Sequence, residues 1–77
     1  MIRQISESAL PVVVYESPHR ILKLLDACSE VMPDASVVVG KELTKMFEKI
    51  YRGTPAVVAS AIRADGVRGE YVVIISN

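Results

Sequence analysis

Tyr15-Glu16-Ser17-Pro18-His19-Arg20 gathers a carboxylate, two hydroxyls, an imidazole and a guanidinium into consecutive positions. The residues around it say how they are held. Val12-Val13-Val14-Tyr15 is a β-branched and aromatic run of the kind expected of a strand covered on both faces, which predicts a central strand there. Ser17 can accept from a free helix N–H, and Pro18 needs no donor at a first helical position, so a helix is expected to start at Pro18. Such a junction presents unpaired N–H groups and the positive end of a helix dipole to an anion or an electron-rich ligand edge. His19 and Arg20 add donors, and Glu16 can accept from a ligand hydroxyl or amine. The competing structural reading leaves Ser17 and Pro18 as a helix cap alone, with His19 and Arg20 as solvated first-turn residues.

A second group, Lys41-Glu42-Leu43-Thr44-Lys45, follows the apolar run Val37-Val38-Val39 and Gly40, at the end of a strand where open α/β sheets tend to place ligands. Lys41, Lys45, Lys49 and Arg52 can form a basic strip for phosphates, interrupted by Glu42 and Glu48. The structural alternative is a charged sheet edge that resists aggregation, with Lys49 opposite a carboxylate. Arg52-Gly53-Thr54 and Arg68-Gly69-Glu70 read as turns whose glycines supply positive φ. The chain has no dinucleotide or P-loop glycine pattern, and its single histidine cannot build a metal site alone. Cys28 lies in an apolar helical stretch without a basic cluster, which reads as a buried structural thiol.

The elements that must carry these groups follow from periodicity. Ile21, Leu22, Leu24, Leu25, Cys28, Val31 and Met32 keep the spacing of one buried helix face, ended by Pro33-Asp34. Residues 46 to 52 alternate imperfectly, with Phe47, Lys49 and Tyr51 on one face and Glu48, Ile50 and Arg52 on the other, as on a half-exposed edge strand. Thr54-Pro55 opens a second helix with Val57, Val58, Ala61 and Ile62 inside, and Asp65-Gly66 closes it. Tyr71 to Ile75 is the most hydrophobic run and belongs in the middle of the sheet. Residues 2 to 9 allow a short, weakly patterned helix. The expected order is β-α-β-β-α-β, an α/β fold with a four-stranded sheet and two main helices.

With 77 residues, 51% of them hydrophobic and 23% charged, the chain is expected to be one folded domain, spanning residues 1 to 77, whose stability depends on nearly every apolar side chain. Nine basic residues balance nine acidic ones, so any contact with nucleic acid must be local rather than driven by a global field. No stretch has the length of a membrane span, and the N-terminus lacks the apolar segment of a signal peptide, which makes the cytoplasm the expected location.

In order and spacing, residues 15–20, then Lys41-Glu42-Leu43-Thr44-Lys45 with Glu48, then Arg52-Gly53-Thr54, then Arg68-Gly69-Glu70 before an apolar strand resemble one family, ribosomal small subunit methyltransferase I. The likeness covers roughly residues 11 to 76. It implies the C-terminal subdomain of a tetrapyrrole methylase fold: a mixed, mostly antiparallel sheet whose last strand lies between the first two of this chain. It also implies an N-terminal domain and a first strand of this domain that are missing here. The two domains would hold S-adenosylmethionine between them, and the reaction would be methyl transfer to a cytidine ribose 2′-hydroxyl of small-subunit rRNA, or of the 30S particle. By resemblance, Tyr15, Glu16 and backbone near Val38 and Gly69 line the cofactor cleft. His19, Arg20, Lys41, Glu42 and Lys45 face RNA, no metal takes part, and the enzyme works as a homodimer. Gly40-Lys41 departs from the family, where a small residue and Arg are more usual, so a bidentate phosphate clamp is not expected here. By itself the chain is expected to be inactive. The alternative class is a small non-catalytic interaction or regulatory domain that dimerises.

Overall fold

The computed structural model describes residues 10–43 and 46–76. Its elements are β1 (Val12–Glu16), α1 (Ile21–Val31), β2 (Ser36–Leu43), β3 (Met46–Gly53), α2 (Pro55–Asp65) and β4 (Glu70–Ser76), in the expected order. The expected helix at residues 2 to 9 lies outside the described residues.

The strands form one four-stranded sheet in the order β1-β4-β2-β3, and all of its pairings are antiparallel. β4 therefore lies between β1 and β2, as its apolar run requires, with Tyr71, Val73 and Ile75 buried. The register aligns Val14, Val73, Val39 and Tyr51 across the sheet, a row that faces the core. β3 is an edge strand, as its alternation indicated. β1 is also at an edge of the described sheet rather than at its centre. A β-branched run reports strand propensity and one apolar face, but it does not count neighbours, and on β1 Val13 and Tyr15 are 55% and 78% exposed.

β2 runs on past Gly40, because Lys41 and Glu42 still pair with β4, and an irregularity between these two residues bends the β2–β3 pairing. Among the described residues, the buried strand side chains share one side: Val37, Val39 and Lys41 on β2, Tyr51 on β3, and Tyr71, Val73 and Ile75 on β4. Both helices cover that side. The opposite side carries the exposed apolar residues Val13, Tyr15, Ile50 and Ile74.

α1 begins three residues later than its sequence suggested. Ser17 to Arg20 form a turn in which the Ser17 carbonyl accepts from the N–H groups of Arg20 at 3.0 Å and Ile21 at 3.1 Å. Pro18 suits the second position of such a turn as well as it suits a first helical turn, so sequence alone does not separate the two. Ile21, Leu24, Leu25 and Cys28 form the buried face, joined by Met32. Val31 does not belong to it and is 49% exposed, since it lies at the margin of the stripe.

The start of α2 follows its sequence. Thr54 Oγ1 accepts from the Val57 N–H at 3.4 Å, Pro55 occupies the first turn, and Gly66, at φ 90°, ends the helix by donating to Ile62 at 3.0 Å. Its inner face is Pro55, Val58, Ala59 and Ile62; Val57 points outward, about 100° round the helix from Val58. Arg63 of α2 reaches Asp26 of α1 at 2.8 Å across the solvent side. Cys28 is fully buried and its thiol is pushed up by that burial, which agrees with a structural role. Among the described residues no helix is long and apolar enough to cross a membrane.

Candidate functional site

β1 and β2 both run antiparallel to β4, which separates them, so their C-terminal ends and the N-terminal end of β4 meet at one end of the sheet. The register there aligns Glu16, Tyr71, Lys41 and Lys49 in a single row. Three stretches distant in sequence thus converge: residues 15–20, Lys41-Glu42, and Arg68-Gly69-Glu70. Arg52-Gly53-Thr54 leads into α2 from the opposite end. Val38 pairs with Ile74 and Arg52, about 10 Å along β2 from Lys41, so it stands apart from this convergence. Lys45 lies outside the described residues.

Side matters as much as position. Neighbours on a strand face opposite sides, so Glu16 points to the helix side, half-buried beside Tyr71, while Tyr15 stands on the open side. His19 and Arg20 are exposed in the turn before α1. That helix has no side-chain cap and no acidic residue in its first turn; the Ser17 carbonyl takes the Ile21 N–H, which leaves those of Leu22 and Lys23 to solvent or a ligand. Glu42 and Glu70 are paired in register on the other side of the same end, half-buried and exposed respectively. Gly69 is half-buried at φ 80°, a conformation that side chains resist.

Among the described residues, Lys41, Lys49 and Arg52 do not line up as the expected basic strip. Lys41 faces the helices and is 5% exposed, the one buried charged residue among those described. Lys49 is paired with Asp65, as the structural alternative had it, and Arg52 lies on the other side of the sheet. The alternation of β3 separates Lys49 from Arg52, and the sheet register turns Lys41 inward between Tyr71 and Lys49.

In place of the strip there is a cluster that sequence reading missed. The Tyr51 hydroxyl donates to Asp65 Oδ2 at 2.8 Å, and Lys49 Nζ donates to the same oxygen at 2.5 Å while lying 5.2 Å from the centre of the Tyr51 ring. These bonds, Lys49's first, hold the Asp65 carboxyl below its usual range. Burial, reinforced by the bond to Asp65, pushes the Tyr51 phenol up. Beside it, the hydroxyl of the fully buried Tyr71 accepts from the Arg68 backbone N–H at 3.1 Å. The sequence signals were a Lys49 opposite some carboxylate and the placing of Tyr51 on the same strand face; neither named Asp65 as the shared partner.

Asp65 carries a pH prediction. Its folded-state pKa lies below the unfolded value of about 3.9, so its contribution is complete above that value and is lost as pH falls through the folded one. Urea titrations between about pH 3 and 6 are expected to show an acid loss of stability that Asp65→Asn reduces. An identical acid profile in the variant would remove Asp65 from the account.

Chemically, this end of the sheet offers a carboxylate acceptor, exposed cationic donors, unpaired helix N–H groups and a glycine backbone. That suits a polar or anionic ligand of some size. No group of three metal-ligating side chains occurs among the described residues.

No family model matches the chain. It is 36% identical over 66 residues to the ribosomal RNA small subunit methyltransferase I of Bacillus subtilis, a match covering 86% of this chain and 23% of that protein. The protein of the same name from Neisseria meningitidis serogroup A is 39% identical over 69 residues, covering 87% and 24%. That from Helicobacter pylori J99 is 32% identical over 71 residues, covering 92% and 25%. The chain belongs to the ribosomal RNA small subunit methyltransferase I family. It spans about a quarter of the length of these relatives and matches their C-terminal part. All three motif regions that meet at the sheet end fall within a stretch resembling this family.

Proposed function

We propose that the chain forms the C-terminal subdomain, one partial domain over residues 1–77, of an S-adenosylmethionine-dependent methyltransferase acting on a cytidine ribose 2′-hydroxyl of small-subunit rRNA. The observation that carries this reading is the convergence of residues 15–20, Lys41-Glu42 and Arg68-Gly69-Glu70 at one end of the sheet in a chain whose relatives are named as rRNA methyltransferases. S-adenosylmethionine supplies an electrophilic sulfonium methyl. The protein has to hold the attacking hydroxyl in line with it and provide a route for the hydroxyl proton.

Within this reading Glu16 accepts from a cofactor hydroxyl or amine, and the backbone at Gly69 approaches the cofactor closely because no Cβ intervenes. Tyr15 and the β2 backbone near Val38 extend the lining on the open side of the sheet. His19 and Arg20 meet RNA phosphates, with Glu42 orienting one of the basic side chains and Lys45 adding charge. Lys41 contributes its charge from beneath the surface. An upstream N-terminal domain completes the cleft, the enzyme acts in the cytoplasm on rRNA or the 30S particle as a homodimer, and the chain alone is inactive.

The open apolar side of the sheet favours a second reading, a non-catalytic interaction domain. Calorimetric titration of S-adenosylmethionine into this chain, and into the chain joined to the upstream three-quarters of the Bacillus subtilis relative, separates the two. Binding only to the longer protein is expected. Tight binding to the short chain would refute a cleft shared between domains, and binding to neither would favour the interaction domain.

A further inference from the structure

The four residues joining α2 to β4 begin and end with glycines at positive φ, Gly66 at 90° and Gly69 at 80°. A free segment of this kind samples many conformations, since glycine has access to both halves of φ space. Here it is tied at two points. At its start, Asp65 is held by Tyr51 and Lys49 of β3. Near its end, the Arg68 N–H donates to the Tyr71 hydroxyl at 3.1 Å. Tyr71 is 0% exposed, so its ring is fixed by the core and its hydroxyl is a rigid anchor rather than a swinging one. In the sheet register the same residue lies between Glu16 and Lys41. One side chain therefore joins the loop that carries Gly69 to the strand that carries Glu16.

We propose that Tyr71 is a positioning residue, whose buried hydroxyl fixes the loop 66–69 so that the Gly69 backbone and Glu16 are set at the spacing the cofactor requires. The inference rests on the reading of this sheet end as a cofactor wall. It adds that the wall is formed before the ligand arrives, which reduces the ordering cost of binding.

Tyr71→Phe removes the acceptor and keeps the ring, and Asp65→Asn loosens the other tie without touching the core. Two measurements are required. In the 77-residue chain, amide exchange at Arg68 is expected to accelerate in Tyr71→Phe while the centre of β4 stays protected. In the chain joined to the upstream part of the Bacillus subtilis relative, the same substitution is expected to raise the KM for S-adenosylmethionine about tenfold with kcat little changed. Asp65→Asn should act in the same direction, more weakly, and it decides the matter if Tyr71→Phe does not fold. Unchanged Arg68 exchange would overturn the tie. Faster exchange with unchanged KM would overturn the positioning role and leave the functional reading intact. Failure of the unsubstituted fusion to bind S-adenosylmethionine would overturn both.

Discussion

Leu25→Ala is expected to unfold this chain at about half the urea concentration the original requires, or to abolish a cooperative transition altogether. Leu25 is 0% exposed, at the centre of the α1 face that closes over the sheet. Truncating a buried leucine costs about 2–5 kcal/mol, through lost transfer energy and the cavity left behind. A domain of this length holds about 4–12 kcal/mol in total, at roughly 0.05–0.15 kcal/mol per residue. The loss is thus comparable with the whole stability. Val31→Ala on the same helix is the control: Val31 is 49% exposed, and its truncation should lower the unfolding free energy by less than about 0.5 kcal/mol. Urea denaturation followed by circular dichroism measures both. Equal shifts would mean that α1 is rotated from the position described.

The second large effect concerns Glu16. In the chain joined to its relative's upstream part, Glu16→Ala is expected to lower methyl transfer to small-subunit rRNA by about 10- to 100-fold, the range for losing a hydrogen bond to a charged group. The loss should appear mainly in the KM for S-adenosylmethionine, because Glu16 is assigned to the cofactor side. His19→Ala, in the exposed turn before α1, should cost less and act on the RNA, with an effect that shrinks as salt rises. Near-original rates in both variants would mean that residues 15–20 cap and connect without contacting substrate.

Much of the architecture was legible from residue types because local rules and the tertiary fold agree. Thr54-Pro55 and Asp65-Gly66 bound α2 as read, and the run Tyr71 to Ile75 lies inside the sheet. The disagreements arise where one local signal serves two structures. Ser17-Pro18 opens a turn as readily as a helix, so α1 starts at Ile21. The Val12–Tyr15 run marks a strand whether that strand is central or at an edge. Val31 and Val57 lie beside their helices' buried stripes, where periodicity alone does not settle which side of the margin faces the core.

For the site the division is sharper. Sequence by itself determined which residue types are present, the order and type of the elements, and the likeness of residues 15–20, 41–45 and 68–70 to one family. Only the tertiary structure decided that residues 15–20, Lys41-Glu42 and residues 68–70 meet at one end of the sheet. It also decided that Lys41 is turned inward, that Lys49 and Tyr51 share Asp65, and that Tyr71 anchors Arg68. The physical reason is that strand order and register are set by long-range pairing. A single step in register exchanges the two faces of a strand, and nothing in the local composition records which strand will lie alongside.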